Sequence, residues 1–386
     1  MILRRLSLVG FRNITPGTLE FSSGLNCLVG DNGAGKTNIL DAVHYLSMCR
    51  SSLGGTDRQA LGHGCAMFVV EGEYTADAGH TLKVACSFSP TGAGATKKMR
   101  CGGKEYERLS EHVGVVPIVM VSPADTFLIS DAADERRRWL NSFISQSDRA
   151  YLQSLVRYNA VLTERNRLLR GADGSLSGSA AEILDVLDMQ LAEHGERIHA
   201  CRAEIVERMR PLVADYYAHL ADDRERVEMI YRSEVTERGM AAVLAAGRAK
   251  DIASGFTTGG VHRDEVVMRI GGDPLRRYGS QGQQKSFLIA LKLAQFAVVS
   301  GVTGERPILL LDDLFDKLDT GRVERLIKLV SGGGFSQIFI SDCNRERLEG
   351  VLRRGGRDYS LFDIKNGEVS APDETANMSN EEAPGS

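Results

Sequence analysis

Residues Gly30-Asp31-Asn32-Gly33-Ala34-Gly35-Lys36-Thr37 fit the pattern Gly-x-x-x-x-Gly-Lys-[Ser/Thr]. Glycines at these positions let the backbone curl so that its N–H groups point inward at a phosphate. The start of the helix that follows adds partial positive charge. In such a loop Lys36 reaches the β- and γ-phosphates of a nucleotide, and the Thr37 hydroxyl holds Mg²⁺. The complementary half is an apolar strand ending in carboxylates, supplied by Ile308-Leu309-Leu310-Leu311-Asp312-Asp313. Asp312 is placed to bind Mg²⁺ through water, and Asp313 stands where a general base or water-positioning acid is needed.

These residues require a particular frame. Leu25 to Val29 reads as a buried strand running into the glycine loop, and from Lys36 the apolar spacing turns helical through Leu46. Four apolar residues from Ile308 fit a central parallel strand buried on both faces, and Gln337 to Ser341 reads as another. Gln283 to Val299 reads as a helix. The interval from Lys36 to Asp312 is far longer than in a compact phosphate-loop domain, so a large segment is inserted between the two halves. From Asp134 to about Val213 that segment is helical and charged. Leu152, Leu155, Asn159, Leu162, Asn166 and Leu169 follow 3–4 spacing, as do Leu184, Leu187, Leu191, His194, Ile198, Cys201 and Ile205. A Gly/Ser-rich turn at 171–179 separates them, as in a short antiparallel helical hairpin whose register Asn159 and Asn166 would set at its seam, or as in two amphipathic helices packed on an ordinary core. The expected class is α/β: a nucleotide head with mixed sheets, formed by residues 1–130 and 255–370, with a helical lobe at 131–254. Residues 371–386 read as a disordered acidic tail, with Asp373, Glu374, Glu381 and Glu382 and no Lys or Arg.

Composition agrees with a soluble protein. In 386 residues, 42% are hydrophobic and 25% charged. The net charge of −4, from 47 Lys and Arg against 51 Asp and Glu, excludes a uniformly basic coat but not a local basic patch. The seven cysteines form no Cys-x-x-Cys pair, which points to reduced thiols in a cytoplasmic protein. The N-terminus meets Arg4 and Arg5 at once, unlike a signal peptide. The apolar stretch from Phe287 to Val299 is too short to span a bilayer and contains Lys292. No membrane partner is expected.

Between the nucleotide motifs lies Tyr278-Gly279-Ser280-Gln281-Gly282-Gln283-Gln284-Lys285-Ser286. Ser280, Gly282 and Gln283 resemble the Ser-x-Gly-Gln signature of ABC-type ATPases, a helix N-terminus presenting a hydroxyl and N–H groups to phosphate. That resemblance implies that the motif contacts ATP bound by a second subunit, with two ATPs sandwiched in a head-to-tail dimer. Leu314-Phe315-Asp316-Lys317-Leu318-Asp319 looks like the D-loop that follows, with Asp319 at the dimer interface.

The ordered set of motifs resembles the RecF family of bacterial recombination mediators. It comprises Phe11-Arg12-Asn13, Ser122-Pro123-Ala124-Asp125, Arg136-Arg137-Arg138-Trp139-Leu140, Ile144-Ser145-Gln146, Thr257 to Asp264, Gly279 to Gln284 and Leu311 to Asp319. The resemblance covers about Ile2 to Asp363. It implies an ABC-type head with a shortened SMC-like arm, ATP and Mg²⁺ as cofactors, and weak, DNA-stimulated ATP hydrolysis. It also implies an ATP-dependent homodimer on double-stranded DNA beside single-strand gaps, acting with RecO and RecR to load RecA in repair and fork maintenance.

Several positions depart from the wider pattern. Asp313 replaces the Glu of many ABC ATPases, as it does within the RecF family, and Ser341-Asp342 stand where a switch His is expected. Val261 replaces a usual Pro and Asp316 a usual small residue. Arg12 is a candidate either for nucleotide contact or for a strand-end salt bridge. His262, Arg263 and Asp264 read as a structural or interface network rather than a catalytic triplet. Candidate phosphate-backbone contacts for DNA are Lys97-Lys98-Met99-Arg100, Arg136 to Arg138, and Arg353-Arg354 with Arg357. No pattern for sequence-specific readout accompanies them. Two other readings stand beside the DNA-repair ATPase: a nucleotide-gated clamp with negligible hydrolysis, and a transporter ATPase subunit, against which the long Lys36–Asp312 interval argues.

Overall fold

The computed structural model describes the chain except residues 92–93, 131–132, 173–174, 222–224, 314–317, 333, 356–357 and 371–386. The expected acidic tail therefore lies outside the described residues. The chain opens with strands β1 (Ile2–Val9), β2 (Gly17–Glu20) and β3 (Leu25–Val29), then helix α1 (Lys36–Met48). Next come β4 (Phe68–Thr75), β5 (Thr81–Thr91), β6 (Gly94–Cys101), β7 (Lys104–Glu105) and β8 (Ile118–Val121). A helical stretch follows: α2 (Phe127–Ser130), α3 (Ala133–Ser147), α4 (Arg149–Arg170) and α5 (Ser179–Ala221). Then come β9 (Val227–Arg232), α6 (Val235–Arg238), α7 (Met240–Ser254), β10 (Glu265–Ile270), β11 (Asp273–Pro274), α8 (Leu275–Tyr278) and α9 (Gln281–Thr303). The chain closes with β12 (Ile308–Leu311), α10 (Thr320–Ser331), β13 (Ile338–Asp342), α11 (Arg345–Gly355), β14 (Tyr359–Lys365) and β15 (Glu368–Val369).

Two compact units result: Met1–Ala124 with Val299–Ser386, and Asp125–Val298. The expected head included 255–298, which the structure groups with the helical unit. The reason is pairing: β10 runs antiparallel to β9 along its whole length, Glu265 opposite Arg232 through Ile270 opposite Val227, in a sheet ordered β11-β10-β9.

The first unit holds two six-stranded sheets. One is antiparallel, ordered β2-β1-β4-β5-β6-β7. The other is ordered β15-β14-β3-β13-β12-β8, with β14, β3, β13, β12 and β8 mutually parallel. β3, β12 and β13 are buried throughout, which explains the unbroken apolar run of β12; Asn26 on β3 and Ser341-Asp342 at the end of β13 are buried polar exceptions. Phe11, Tyr45 and Phe68 pack edge to face in the core below α1, with centroids 5.3–5.8 Å apart.

In the second unit α4 and α5 form the hairpin, and α5 is 43 residues long with Pro211 inside it. On α4 the buried face is Tyr151, Ser154, Tyr158, Val161, Arg165 and Leu169, one residue out of phase with the expected seam, and Asn159 is exposed. On α5 Leu184, Leu187, Leu191, Ile198 and Ile205 are buried as expected, while Gly195 and Arg202 take the places assigned to His194 and Cys201. The seam carries charge: Arg165, fully buried, donates to Asp188 (2.6 Å), Asp251 (2.8 Å) and Thr257 (2.8 Å). Asn166 bonds the Thr257 backbone rather than α5, so the Arg165–Asp188 pair fixes the hairpin's register.

Helix α9, at 23 residues, exceeds the expected apolar stretch and is long and apolar enough to cross a membrane by length and composition. Its Phe287, Ala290, Leu291, Leu293 and Ala294 are instead sealed inside protein.

Candidate nucleotide-binding site

The parallel strands β3, β12 and β13 deliver the site from their C-terminal ends, where open α/β sheets gather ligand groups. β3 runs into Gly30 and α1 begins at Lys36, so the glycine loop spans the strand-to-helix turn as its motif requires. Gly30 has φ 156°, and a Cβ there would stand 2.2 Å from the Ile364 carbonyl oxygen of β14. Gly35 has φ 122° with Ile14 Cδ1 2.8 Å from a built Cβ. At Gly30 the backbone oxygen excludes a side chain, and at Gly35 the positive φ disfavours one.

The loop is braced from behind. Gly367 N–H, in the β14–β15 turn, donates to Ala34 O (2.8 Å), and Thr15 N–H donates to Gly367 O (3.0 Å). Asn13 donates to Gly33 O (3.3 Å) and accepts from Asn38 Nδ2 (2.7 Å). Lys36 is buried, and its Nζ donates to Gly30 O (2.7 Å) and Asp31 O (2.9 Å). It therefore sits folded across the loop that it closes.

The second half of the site stands two strands away on β12. Thr37 Oγ1 donates to Asp312 Oδ1 (3.0 Å), uniting residues 275 positions apart. The Ser341 hydroxyl, at the end of β13, donates to the same oxygen (2.6 Å) and accepts from Asp313 N–H (2.9 Å). Burial pushes the Asp312 carboxyl up from its ordinary range, and the hydrogen bonds from Ser341 and Thr37 oppose that shift. Asp313 adopts the left-handed conformation, φ 47°, which Asp tolerates better than most residues. The expected motif pair is thus brought together, and the sequence reading missed the Ser341 bridge. Its signal was a hydroxyl at the end of a buried strand. Asp342, fully buried, accepts from both Arg347 (3.0 and 3.1 Å) and Asn344 N–H (2.6 Å), so an ion pair fills the switch-His position.

Thr37 and Asp312 present hard oxygen donors suited to Mg²⁺ with water and phosphate oxygens completing the shell. Among the described residues no cluster of three His, Cys, Asp or Glu could hold a metal alone. Arg12, also left-handed at φ 49°, pairs with the buried Asp41 at 2.8 Å and donates to Ser51 (2.7 Å). That is the salt-bridge alternative.

The signature residues lie in the second unit at the start of α9. Ser280 Oγ accepts from Gln283 N–H (3.3 Å), and Gln283 Oε1 accepts from Ser280 N–H (2.5 Å). This is a reciprocal capping box that frames the helix N-terminus. Gly282 O accepts from Ser286 (3.0 Å) in the next turn. Of the D-loop, residues 314–317 lie outside the described residues, and Asp319 caps α10 through Arg322 N–H (3.0 Å).

His262 and Asp264 belong to a buried network. Arg202, 2% exposed, donates to Asp264 (2.6 Å), Val261 O (2.7 Å), Asn141 (2.8 Å) and Tyr151 (3.2 Å). Burial lowers the His262 pKa to about 4, and its ring bonds Tyr158 OH (2.8 Å) and Thr257 O (3.1 Å). The basic clusters are engaged in ion pairs: Lys97 with Asp57, Lys98 and Arg100 with Glu105, Arg136 with Glu265, Arg137 with Asp134, Arg138 with Glu135, Arg353 with Glu349 and Arg354 with Glu324. Arg357 lies outside the described residues.

A glycine loop on β3, an acid pair two strands away, and an interrupting helical segment that ends in a signature helix make this an ABC-type ATPase fold. A family model described as "AAA domain" matches residues 5–77. The chain is 44% identical over 374 residues to the DNA replication and repair protein RecF of Parabacteroides distasonis, covering 97% of this chain and 100% of that one. It is 41% identical to its counterpart in Bacteroides fragilis strain ATCC 25285, covering 97% and 99%. Among solved structures it matches "the recombination mediator protein RecF-ATP in RecFOR pathway" with TM-score 0.84 and 28% identity over 96% of this chain and 97% of that one. An Smc head domain from Pyrococcus furiosus matches with TM-score 0.57 at 16% identity over 95% of each chain, a likeness of fold alone. The chain belongs to the RecF family of DNA replication and repair proteins.

Proposed function

We propose that this protein is an ATP-dependent DNA-binding ATPase of recombinational repair and replication-fork maintenance. The observation that carries the reading is the convergence of Thr37, Asp312, Ser341 and Asp313 beside Lys36, through the 3.0 Å Thr37–Asp312 and 2.6 Å Ser341–Asp312 hydrogen bonds. Bound ATP supplies the anhydride, and Mg²⁺ neutralises charge developing on its phosphates. Gly30, Asp31, Asn32, Gly33, Ala34 and Gly35 wrap the phosphates with backbone N–H groups. Lys36 Nζ leaves the Gly30 and Asp31 carbonyls for the β- and γ-oxygens. Thr37 and Asp312 would hold Mg²⁺, and Asp313 would orient the attacking water. Ser280, Gly282 and Gln283 act on the ATP of a second copy, so ATP drives a homodimer. That dimer engages double-stranded DNA beside single-strand gaps in the cytoplasm, with RecO and RecR as partners in loading RecA. Slow hydrolysis releases it.

The test is steady-state ATP hydrolysis with and without gapped duplex at fixed salt. Turnover that rises with DNA and vanishes in Asp313→Asn, with ATP binding retained, is the expected result. Binding without turnover replaces this reading with a nucleotide-gated clamp. Turnover indifferent to DNA returns the transporter-type ATPase.

A further inference from the structure

The signature capping box has a third member that no motif identifies. Gln283 Nε2 donates to Glu225 Oε1 (2.5 Å), while the Tyr217 hydroxyl donates to Glu225 Oε2 (3.0 Å). Tyr217 is fully buried near the C-terminal end of α5, its ring 6.5 Å from that of Phe287, one turn beyond Gln283 on α9. Glu225 itself is exposed, yet each of its oxygens is held.

We propose that Glu225 is a positioning residue for the signature motif, fixing the Gln283 amide and through it the Ser280 hydroxyl. The proposal rests on the reading that Ser280 serves the nucleotide of a second copy. A glutamine amide can present either its oxygen or its nitrogen to a given neighbour. An ionised carboxylate can only accept, so Glu225 forces the Gln283 NH₂ toward itself and leaves Oε1 for Ser280 N–H. The hydroxyl of Ser280 then accepts from Gln283 N–H, and its own hydrogen is left to donate outward, toward phosphate. Without Glu225 the amide rotates and the cap loses its orientation. Because the carboxylate's other oxygen is tied to α5, displacement of the long arm helix bears directly on the signature.

The experiment compares Glu225→Ala, Glu225→Gln and Tyr217→Phe with the unaltered full chain by analytical ultracentrifugation with ATP, alongside ATP affinity measured on dilute monomer. Glu225→Ala is expected to weaken ATP-driven dimerisation about tenfold, the scale of one hydrogen bond to a charged group. Monomer ATP affinity and melting temperature stay unchanged. Glu225→Gln, which keeps an acceptor, recovers most of the loss, and Tyr217→Phe falls between. Dimerisation of Glu225→Ala within twofold of the unaltered chain overturns the proposal, as does a parallel loss of monomer ATP affinity or melting temperature. Ser280→Arg separates the two levels. If it too dimerises normally, the trans-site reading fails. If it blocks dimerisation while Glu225→Ala does not, only the role of Glu225 falls.

Discussion

The nucleotide site and the α4–α5 hairpin both bury charge, and they do so in opposite ways. At the phosphate loop, buried Lys36 is hydrogen-bonded by two backbone carbonyls and Asp312 by two hydroxyls, all neutral partners, while the neighbouring Asp41 and Asp342 are already paired with Arg12 and Arg347. Phosphate and Mg²⁺ can displace such contacts with net gain, because a charged partner makes a stronger bond than a neutral one. In the hairpin, Arg165 and Arg202 meet carboxylates at 2.6–2.8 Å. Those charges are paired, although Arg165 Nη2 and Asp264 Oδ1 find no hydrogen-bond partner among the described residues, and removing one member strands the other. Buried charge with neutral partners is poised for a ligand, whereas buried charge with opposite charge is committed to architecture.

The sharpest way to break that comparison is Arg165→Ala. Leaving the buried Asp251 without its cation, and Asp188 with Arg248 at 3.5 Å, is expected to cost about 3–5 kcal/mol of stability, read by denaturant unfolding. A loss of less than about 1 kcal/mol, within the range of exposed ion pairs, would erase the distinction. Lys36→Ala should do the reverse, lowering ATP affinity about 100-fold by losing charge-assisted contacts while leaving the unfolding midpoint in place. Equilibrium binding with a fluorescent ATP analogue checks it.

The smallest effect concerns pH. His262 titrates near 4 in the fold against about 6.5 unfolded, so between these values the unfolded chain binds the extra proton. Stability therefore falls as pH drops through that window, by about 1 kcal/mol at pH 5.5 relative to neutrality. Thermal melts of the protein and of His262→Gln should converge as pH falls. Parallel melting curves would show that His262 does not titrate as its burial requires.

The same contrast explains what was legible in the sequence. The glycine loop and the acid-ended strand are contiguous words whose residue types are dictated by phosphate and metal chemistry, and they stand where expected. The α4 seam was displaced by one residue because its true face carries Arg165 and Ser154, polar residues that a search for apolar periodicity passes over. Arg165 belongs there only because Asp188 and Asp251 arrive from other helices, and no local pattern encodes that. Strands β8 and β14 escaped notice for a related reason: the place of each in the sheet comes from partners far along the chain. Grouping 255–298 with the head overlooked the β9–β10 pairing, which likewise joins distant segments.

The bracing of the glycine loop by the β14–β15 turn has a consequence in time. The loop is made long before the strands that flank it: among the described residues β3 pairs with β13 and β14, and Gly30 and Ala34 rest against Ile364 and Gly367. At roughly 5–20 residues per second, the ribosome needs tens of seconds between making the loop and making the strands that shape it. Throughout that interval β3 carries a strand edge with no neighbour to cover it. A shaped phosphate loop is therefore expected only once β13, β14 and the β14–β15 turn have been made.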